Sequence, residues 1–321
     1  MRERVKIVIP GDQPAQIGDS PHLARLAPYG EVVVHKDRPA SLEDKLARVR
    51  GAQVILNSRS AVTWREADFA QLPDLKLIAT CSVGLDAIDV PAAKARGIVV
   101  SNQPGVNSPF VAEHMFGLMF AVAKQAYVQT AALKRGEWRL PVNAMLQRKR
   151  LGIVGTGAIG AEMARLARAI GMEVIAWTFH PTEERAKALG VRFVELDELL
   201  ATSDVVSLHL RLSDDSRGLI TAQRLALLKP TAILLNGARG AVVDHAALVA
   251  ALQAGKLFGA GLDVFPEEPL PPDDPILKCE RVVLTPHAAD QTPEAVDATN
   301  ADAVNNVIAF LEGKVRVNAA A

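Results

Sequence analysis

Cysteine is nearly missing from this chain. Only Cys81 and Cys279 occur in 321 residues, far apart and away from any cluster of histidine and cysteine. No disulfide framework and no metal site is expected from such usage, and it suits a reducing cytoplasm. Net charge is missing as well. Lys+Arg and Asp+Glu each number 36, giving a formal net charge of zero. A balanced chain exerts no global pull on nucleic acid or an anionic membrane, so neither is expected as a partner. The local run Arg148-Lys149-Arg150 reads as solvated surface. Long apolar runs are also absent. The opening MRERVKIVIPGDQ has charges but too short an apolar stretch for a signal peptide. The apolar-rich helix expected around Val111 to Ala123 contains Glu113 and His114, and is too short and polar to span a bilayer. No internal repeat or low-complexity segment is evident. What remains is 49% hydrophobic and 22% charged, an ordinary globular composition long enough for two domains and a large core.

The stretch around which the chain is organised is Leu151 to Trp177, LGIVGTGAIGAEMARLARAIGMEVIAW. Leu151 to Val154 reads as a buried strand. Gly155, Gly157 and Gly160 follow in G-x-G-x-x-G spacing. Apolar residues then recur at helical spacing at Met163, Leu166, Ala167 and Ile170. Gly171 stops the helix, and Met172 to Trp177 forms a second strand. The first glycine permits a tight turn, the second lets the backbone approach a pyrophosphate, and the third lets the helix pack close to the strand. The helix start offers N–H groups and partial positive charge to phosphates. Residues Gly155, Gly157, Ala158, Ile159 and Gly160 are therefore candidate dinucleotide contacts.

Before this unit, strands are expected at Lys6–Ile9, Glu31–Val34, Gln53–Leu56, Lys76–Thr80 and Ile98–Ser101. Helices are expected at Ser41–Val49, Trp64–Gln71 and Val90–Arg96, a parallel α/β pattern of its own. Asn102 to Ser108 is a Pro/Gly/Asn break that reads as a hinge. A long helix from about Pro109 to Ala126 follows, and Ala131 to Arg148 reads as an irregular arm or lid. A second α/β domain begins at Leu151, and a last helix, Pro293 to Leu311, crosses back to the first domain before a short tail. The expected boundaries are 1–101 plus 288–321 for a substrate domain and 102–287 for an inserted dinucleotide-binding domain. Two such domains with two crossings would form a cleft.

Three signatures stand at later strand ends. In Leu234-Leu235-Asn236-Gly237-Ala238-Arg239-Gly240 an apolar strand runs into small residues and an arginine, whose planar fork suits a carboxylate. In Gly261-Leu262-Asp263-Val264-Phe265-Pro266-Glu267-Glu268-Pro269 a strand ends in an aspartate, and two carboxylates precede a proline. In Leu284-Thr285-Pro286-His287-Ala288-Ala289 a histidine follows a strand and a proline, with small neighbours that leave room for a ligand. Carboxyl ends of strands are where open α/β sheets bind ligands. An arginine, a carboxylate and a histidine gathered there merit attention as a set. His22, His35, His114, His180, His209 and His245 lack that setting; His114 falls on the helix between domains and His209 ends a strand.

These ordered segments resemble the D-isomer-specific 2-hydroxyacid dehydrogenase family, which includes phosphoglycerate, glycerate and D-lactate dehydrogenases. The resemblance covers Cys81 to Asp89, Asn102 to His114, Val154 to Gly160, Asn236 to Gly240, Asp263 to Pro269 and Thr285 to His287. It implies an α/β fold in which a Rossmann-type cofactor domain is inserted into a flavodoxin-like substrate domain. It implies an NAD(P)-dependent interconversion of a small 2-keto acid and its D-2-hydroxy acid. Arg239 would bind the substrate carboxylate and keto oxygen, His287 would be the acid/base, and Glu268 would hold His287. Backbone N–H groups at Val83 and Gly84 would meet the carboxylate. Asp263 would contact the nicotinamide carboxamide, and Gly237 and Ala238 would border the cofactor. The chemistry is coherent: nicotinamide exchanges hydride, an imidazolium supplies a proton, a neighbouring carboxylate stabilises that cation, and a fixed guanidinium polarises the carbonyl.

Departures from the family pattern bear on the cofactor and on regulation. NAD-preferring members carry an aspartate at the end of the second strand, where this chain has Thr178, followed by Phe179 and His180. No carboxylate is there to repel a 2′-phosphate, and Thr178, His180 or Arg211 could accept one; Arg185 is close in sequence. The expectation is NADP or dual use. Ala288 and Ala289 replace the more usual glycines. A C-terminal regulatory domain and serine feedback are not expected. A homodimer through the cofactor domains is a family expectation, with Trp138 reaching across a subunit boundary as a specificity element beside Asn57 to Ser60 and Ser82. The alternative reading is a non-enzymatic dinucleotide sensor like the corepressors that share this fold. A formate dehydrogenase would carry Gln in place of Glu268, and a methyltransferase would not need Arg239, Glu268 and His287.

Overall fold

The computed structural model describes residues 4–314; the chain's last seven residues, part of the expected tail, lie outside the described residues. Two compact units result, Met1–Asn107 with Gln291–Ala321, and Ser108–Asp290. The first crossing falls at Asn107 rather than after Ser101, because a helix opens at Ser108. The return falls at Gln291 rather than after His287, because Ala288 and Ala289 are tied by their backbone N–H groups to Asp263.

The first unit is built on β1 (Val5–Ile9), β2 (Gly30–Val34), α1 (Leu42–Arg48), β3 (Val54–Ser58), α2 (Glu66–Phe69), β4 (Leu77–Cys81), α3 (Val90–Ala95) and β5 (Val99–Ser101). Its five strands are all parallel in the order β2-β1-β3-β4-β5, the flavodoxin-like order. β3 and β4 are buried throughout, as expected of central strands covered on both faces. The helix Pro293–Leu311 packs on β4 through Ala303, Val304 and Val307. Ser41 accepts from the Asp44 N–H at 3.1 Å, but the Asp44 carboxylate returns to Ala40 rather than to Ser41.

The second unit opens with α4 (Ser108–Lys124) and α5 (Ala126–Lys134). One long helix and then an irregular arm were expected here; instead Gln125 takes φ +46° and breaks the helix, and helical structure continues to Lys134. The sheet follows as β6 (Arg150–Val154), α6 (Ala158–Ala169), β7 (Glu173–Trp177), α7 (Glu183–Leu189), β8 (Arg192–Phe193), α8 (Leu196–Thr202), β9 (Val205–Leu208), α9 (Ala222–Leu225), β10 (Ile233–Asn236), α10 (His245–Gln253), β11 (Gly259–Leu262) and β12 (Val282–Leu284). The seven strands run parallel in the order β12-β11-β10-β9-β6-β7-β8. This is the doubly wound Rossmann arrangement, and its order reverses between β6 and β9. α4 lies against β10, β11 and β12, with Met115, Leu118, Met119 and Val122 buried. Among the described residues no helix is long and apolar enough to cross a membrane.

Candidate active site

The glycine turn sits at the switch point. Gly155 has φ +98°, and a Cβ there would meet the His209 carbonyl oxygen at 2.6 Å, so strand β9 closes on the turn. A Cβ at Gly160 would meet the Gly155 carbonyl oxygen at 2.2 Å, so α6 packs onto the turn only without a side chain. Gly157 differs: a Cβ there would meet nothing within 4 Å. It is the N-cap of α6, and no side chain caps that terminus. The three positions thus divide into two close contacts and one open approach, with the N–H groups of the Ala158–Ile159 turn uncapped by side chains. Those features fit a dinucleotide pyrophosphate.

Beyond β7, Thr178 is half-buried, while Phe179 and His180 are exposed. Arg185 of α7 folds back over this loop. Its Nη1 donates to the His180 carbonyl at 2.7 Å, and its Nη2 to Thr156 Oγ1 at 2.8 Å, within the glycine turn. Both acceptors are neutral, and no carboxylate lies within salt-bridge distance of Arg185 among the described residues. Arg211 is exposed, with its carbonyl accepting from Ser216 Oγ. His209 contacts Ser207 Oγ at 2.7 Å, and burial pushes its pKa down to about 3, so it stays neutral near neutral pH.

Arg239 follows β10. The Asn236 side chain shapes its turn, accepting from the Ala238 N–H and donating to the Arg239 carbonyl. Gly237 lies against Met115 of α4, and Gly240 against the Phe265 backbone, where a Cβ would approach within 2.0 Å. Arg239 Nη1 donates to the Ala238 carbonyl at 2.8 Å.

Glu268 and His287 meet. His287 Nδ1 lies 2.7 Å from Glu268 Oε2, and Glu268 Oε1 accepts the Phe265 N–H at 3.0 Å. Burial alone would raise the Glu268 pKa. The His287 and Phe265 hydrogen bonds and the positive charges of His287 and Arg239 outweigh it and hold the carboxyl below its ordinary range. His287 has φ +51°, a left-handed conformation that a non-glycine residue keeps only where its surroundings hold it. The holding group is Asp263, only 2% exposed. Its carbonyl accepts the His287 N–H, and its carboxylate accepts Thr285 Oγ1 at 2.6 Å, the Ala288 N–H at 2.8 Å and the Ala289 N–H at 3.1 Å. His114 of α4 reaches the same turn, with Nε2 2.9 Å from Thr285 Oγ1. Nothing in the sequence around His114 marks this contact, which joins residues 171 positions apart.

Val83 and Gly84 lie in the first unit, after β4. Their carbonyls accept from Asn102 Nδ2 at 2.8 Å and Ser82 Oγ at 3.0 Å.

In the second unit, a doubly wound sheet, an uncapped glycine turn and an arginine–glutamate–histidine set at strand ends define a dinucleotide-dependent oxidoreductase. The model of the D-isomer specific 2-hydroxyacid dehydrogenase NAD binding domain matches residues 116–289. A glyoxylate reductase from Korarchaeum cryptofilum is 38% identical over 303 residues, covering 92% of this chain and 91% of the relative. An acyclic imino acid reductase solved with NADPH and D-Arg superposes with a TM-score of 0.89 at 28% identity, covering 98% of this chain and 99% of that one. An NADPH-dependent glyoxylate/hydroxypyruvate reductase from Sinorhizobium meliloti, solved with citrate, gives a TM-score of 0.83 at 30% identity, covering 96% and 95%. The chain belongs to the D-isomer specific 2-hydroxyacid dehydrogenase family. It is an NAD(P)-dependent oxidoreductase that interconverts 2-keto acids and D-2-hydroxy acids.

Proposed function

We propose that this chain reduces a small 2-keto acid of the glyoxylate type, with His287 as the proton donor and with NADPH preferred or used alongside NADH. The observation that carries the reading is the 2.7 Å pairing of His287 Nδ1 with Glu268, close to the Arg239 guanidinium. Glyoxylate is favoured because the glyoxylate reductase relative is matched along 91% of its length, whereas a D-3-phosphoglycerate dehydrogenase relative is matched along only 42%.

The glycine turn would hold the dinucleotide pyrophosphate, and the cofactor would supply the hydride for C2 of the keto acid or take it up in the reverse direction. The chain's own residues do the rest. Arg239 orients the substrate carboxylate and polarises the keto oxygen. The backbone N–H groups of Val83 and Gly84 are assigned to substrate binding, making the first unit the substrate domain. His287 Nε2 is assigned to the keto oxygen, since Nδ1 is engaged by Glu268. In the reverse direction the same nitrogen accepts the hydroxyl proton. Asp263 is assigned to the nicotinamide carboxamide as well as to the turn it holds.

The NADP preference rests on Arg185. A guanidinium held on the glycine turn by neutral acceptors, with Thr178 in place of an acidic residue, is suited to a 2′-phosphate. Steady-state kinetics of NADPH and NADH against a panel of 2-keto acids test substrate and cofactor together. Arg185→Ala should raise the KM for NADPH at least about tenfold and leave that for NADH nearly unchanged, matching the loss of one charge-assisted contact of about 1.5–3 kcal/mol. Equal effects on both cofactors would overturn the assignment, and a panel silent with every acid would overturn the substrate reading.

A homodimer is proposed on the exposed apolar side chains Trp138, Leu140 and Val142, which are 82%, 84% and 88% exposed. Light scattering should give twice the 34.3 kDa chain mass; a monomer at working concentration would overturn it. The free cysteines fit a cytoplasmic protein.

A further inference from the structure

His114 has no part in the chemistry above, yet it is the one side chain of α4 that touches the turn carrying His287 through a hydrogen bond given by the structure. Its Nε2 lies 2.9 Å from Thr285 Oγ1 and 3.6 Å from Asp263 Oδ1. Thr285 has a single hydroxyl proton, and that proton is committed to Asp263 Oδ1 at 2.6 Å. Toward His114 the hydroxyl is therefore an acceptor, so Nε2 carries a hydrogen and donates it. The result is a directed chain: His114 Nε2–H to Thr285 Oγ, Thr285 O–H to the Asp263 carboxylate. The N–H groups of Ala288 and Ala289 end on that carboxylate, and the N–H of His287 ends on the Asp263 carbonyl. Every one of these bonds bears on the turn that keeps His287 at φ +51°.

We propose that His114 is a positioning residue for His287, acting through the Thr285 hydroxyl and Asp263; this rests on the assignment of His287 as proton donor. Without the His114 donor, the Thr285 hydroxyl loses the partner that fixes its rotamer, and its bond to Asp263 weakens, because bonds in such a chain reinforce one another. The left-handed turn then loses part of what enforces it. A general acid must lie within hydrogen-bond reach of its target, and a displacement of about 1 Å costs roughly a hundredfold in rate. A partial relaxation of the turn costs less than that.

The test uses the full chain and four variants. His114→Leu fills similar space without a donor, His114→Gln retains an N–H near the Nε2 position, Thr285→Val removes the relay, and His114→Leu/Thr285→Val removes both. We expect His114→Leu to lower kcat about tenfold while the dinucleotide Kd, read by nicotinamide fluorescence, stays within about twofold of the parent. His114→Gln should recover most of kcat. The double variant should turn over no more slowly than Thr285→Val alone, because both changes cut one chain. Equal loss in the Leu and Gln variants, an unchanged kcat in both, or additive effects in the double variant would overturn the proposal. Should His114→Leu fail to fold, the comparison of His114→Gln with Thr285→Val decides: relay loss must lower kcat where donor retention does not. His287→Asn is measured alongside. If it abolishes turnover while His114→Leu changes nothing, the positioning proposal fails and the proton-donor reading stands. If His287→Asn turns over normally, the proton-donor reading itself fails.

Discussion

His287→Asn should lower kcat for keto-acid reduction by at least about a hundredfold, the ordinary worth of a positioned general acid, while dinucleotide binding stays near the parent value. Asparagine can still donate a hydrogen bond but cannot give up a proton at neutral pH, so the loss isolates proton transfer from binding. The turn itself should survive, since the bonds that hold it run from backbone N–H groups and Thr285 to Asp263 and not from the imidazole. Glu268→Gln gives the matching result. The Glu268 carboxyl is held below its ordinary range, so its charge is present from mildly acid pH upward. Reduction needs the imidazolium as proton donor. Removing the anion 2.7 Å away leaves the imidazolium without its charge partner, so kcat for reduction should fall. Near-normal turnover in His287→Asn would sink the proton-donor assignment, and an unchanged kcat in Glu268→Gln would sink the role given to the carboxylate.

Local chemistry explains which parts of this molecule could be read from the chain. The βαβ unit was legible because strand, glycine spacing and helix period lie within one short stretch, and the two close approaches at Gly155 and Gly160 are backbone contacts made inside that unit or with the next strand. The helix Pro293–Leu311 takes the expected bounds because it is an amphipathic run opened by the Thr292 cap. Short 3-10 turns at Pro21–Leu26 and Pro275–Lys278, and the break at Gln125, carry no period long enough to announce themselves. The same distinction holds at the site. Arg239, Glu268 and His287 each follow a strand within a recognisable segment. Arg185 and His114 do not, since what matters about them is a partner 29 or 171 positions away. Asp263 was noticed as a strand-end acid, but its hold on the His287 turn is a tertiary fact: four groups converge on it from Thr285 to Ala289. The contact of His114 with Thr285 could not be read from its neighbours in sequence.

Arg239→Ala should cost at least about a hundredfold in kcat/KM, and unlike His287→Asn it should act on KM as well as kcat. The guanidinium is assigned to two atoms of the substrate, its carboxylate and its keto oxygen. Charge-assisted hydrogen bonds contribute about 1.5–3 kcal/mol each, so removing a two-point hold exceeds the roughly 2.7 kcal/mol that a hundredfold loss represents. The carboxylate contact is made in ground and transition states alike and appears in KM; the contact to the oxygen strengthens as negative charge develops there and appears in kcat. Arg239→Lys should recover little, because a single ammonium cannot span both acceptors as a planar fork does. The arginine also lowers the Glu268 pKa through its charge, so its removal lets that carboxyl rise toward its ordinary range. The two effects separate by pH: the substrate contact is lost at every pH, while the coupling to Glu268 matters only in the acid range. A variant whose kcat/KM recovers fully at neutral pH, or whose KM for the keto acid stays at the parent value, would remove Arg239 from the substrate site.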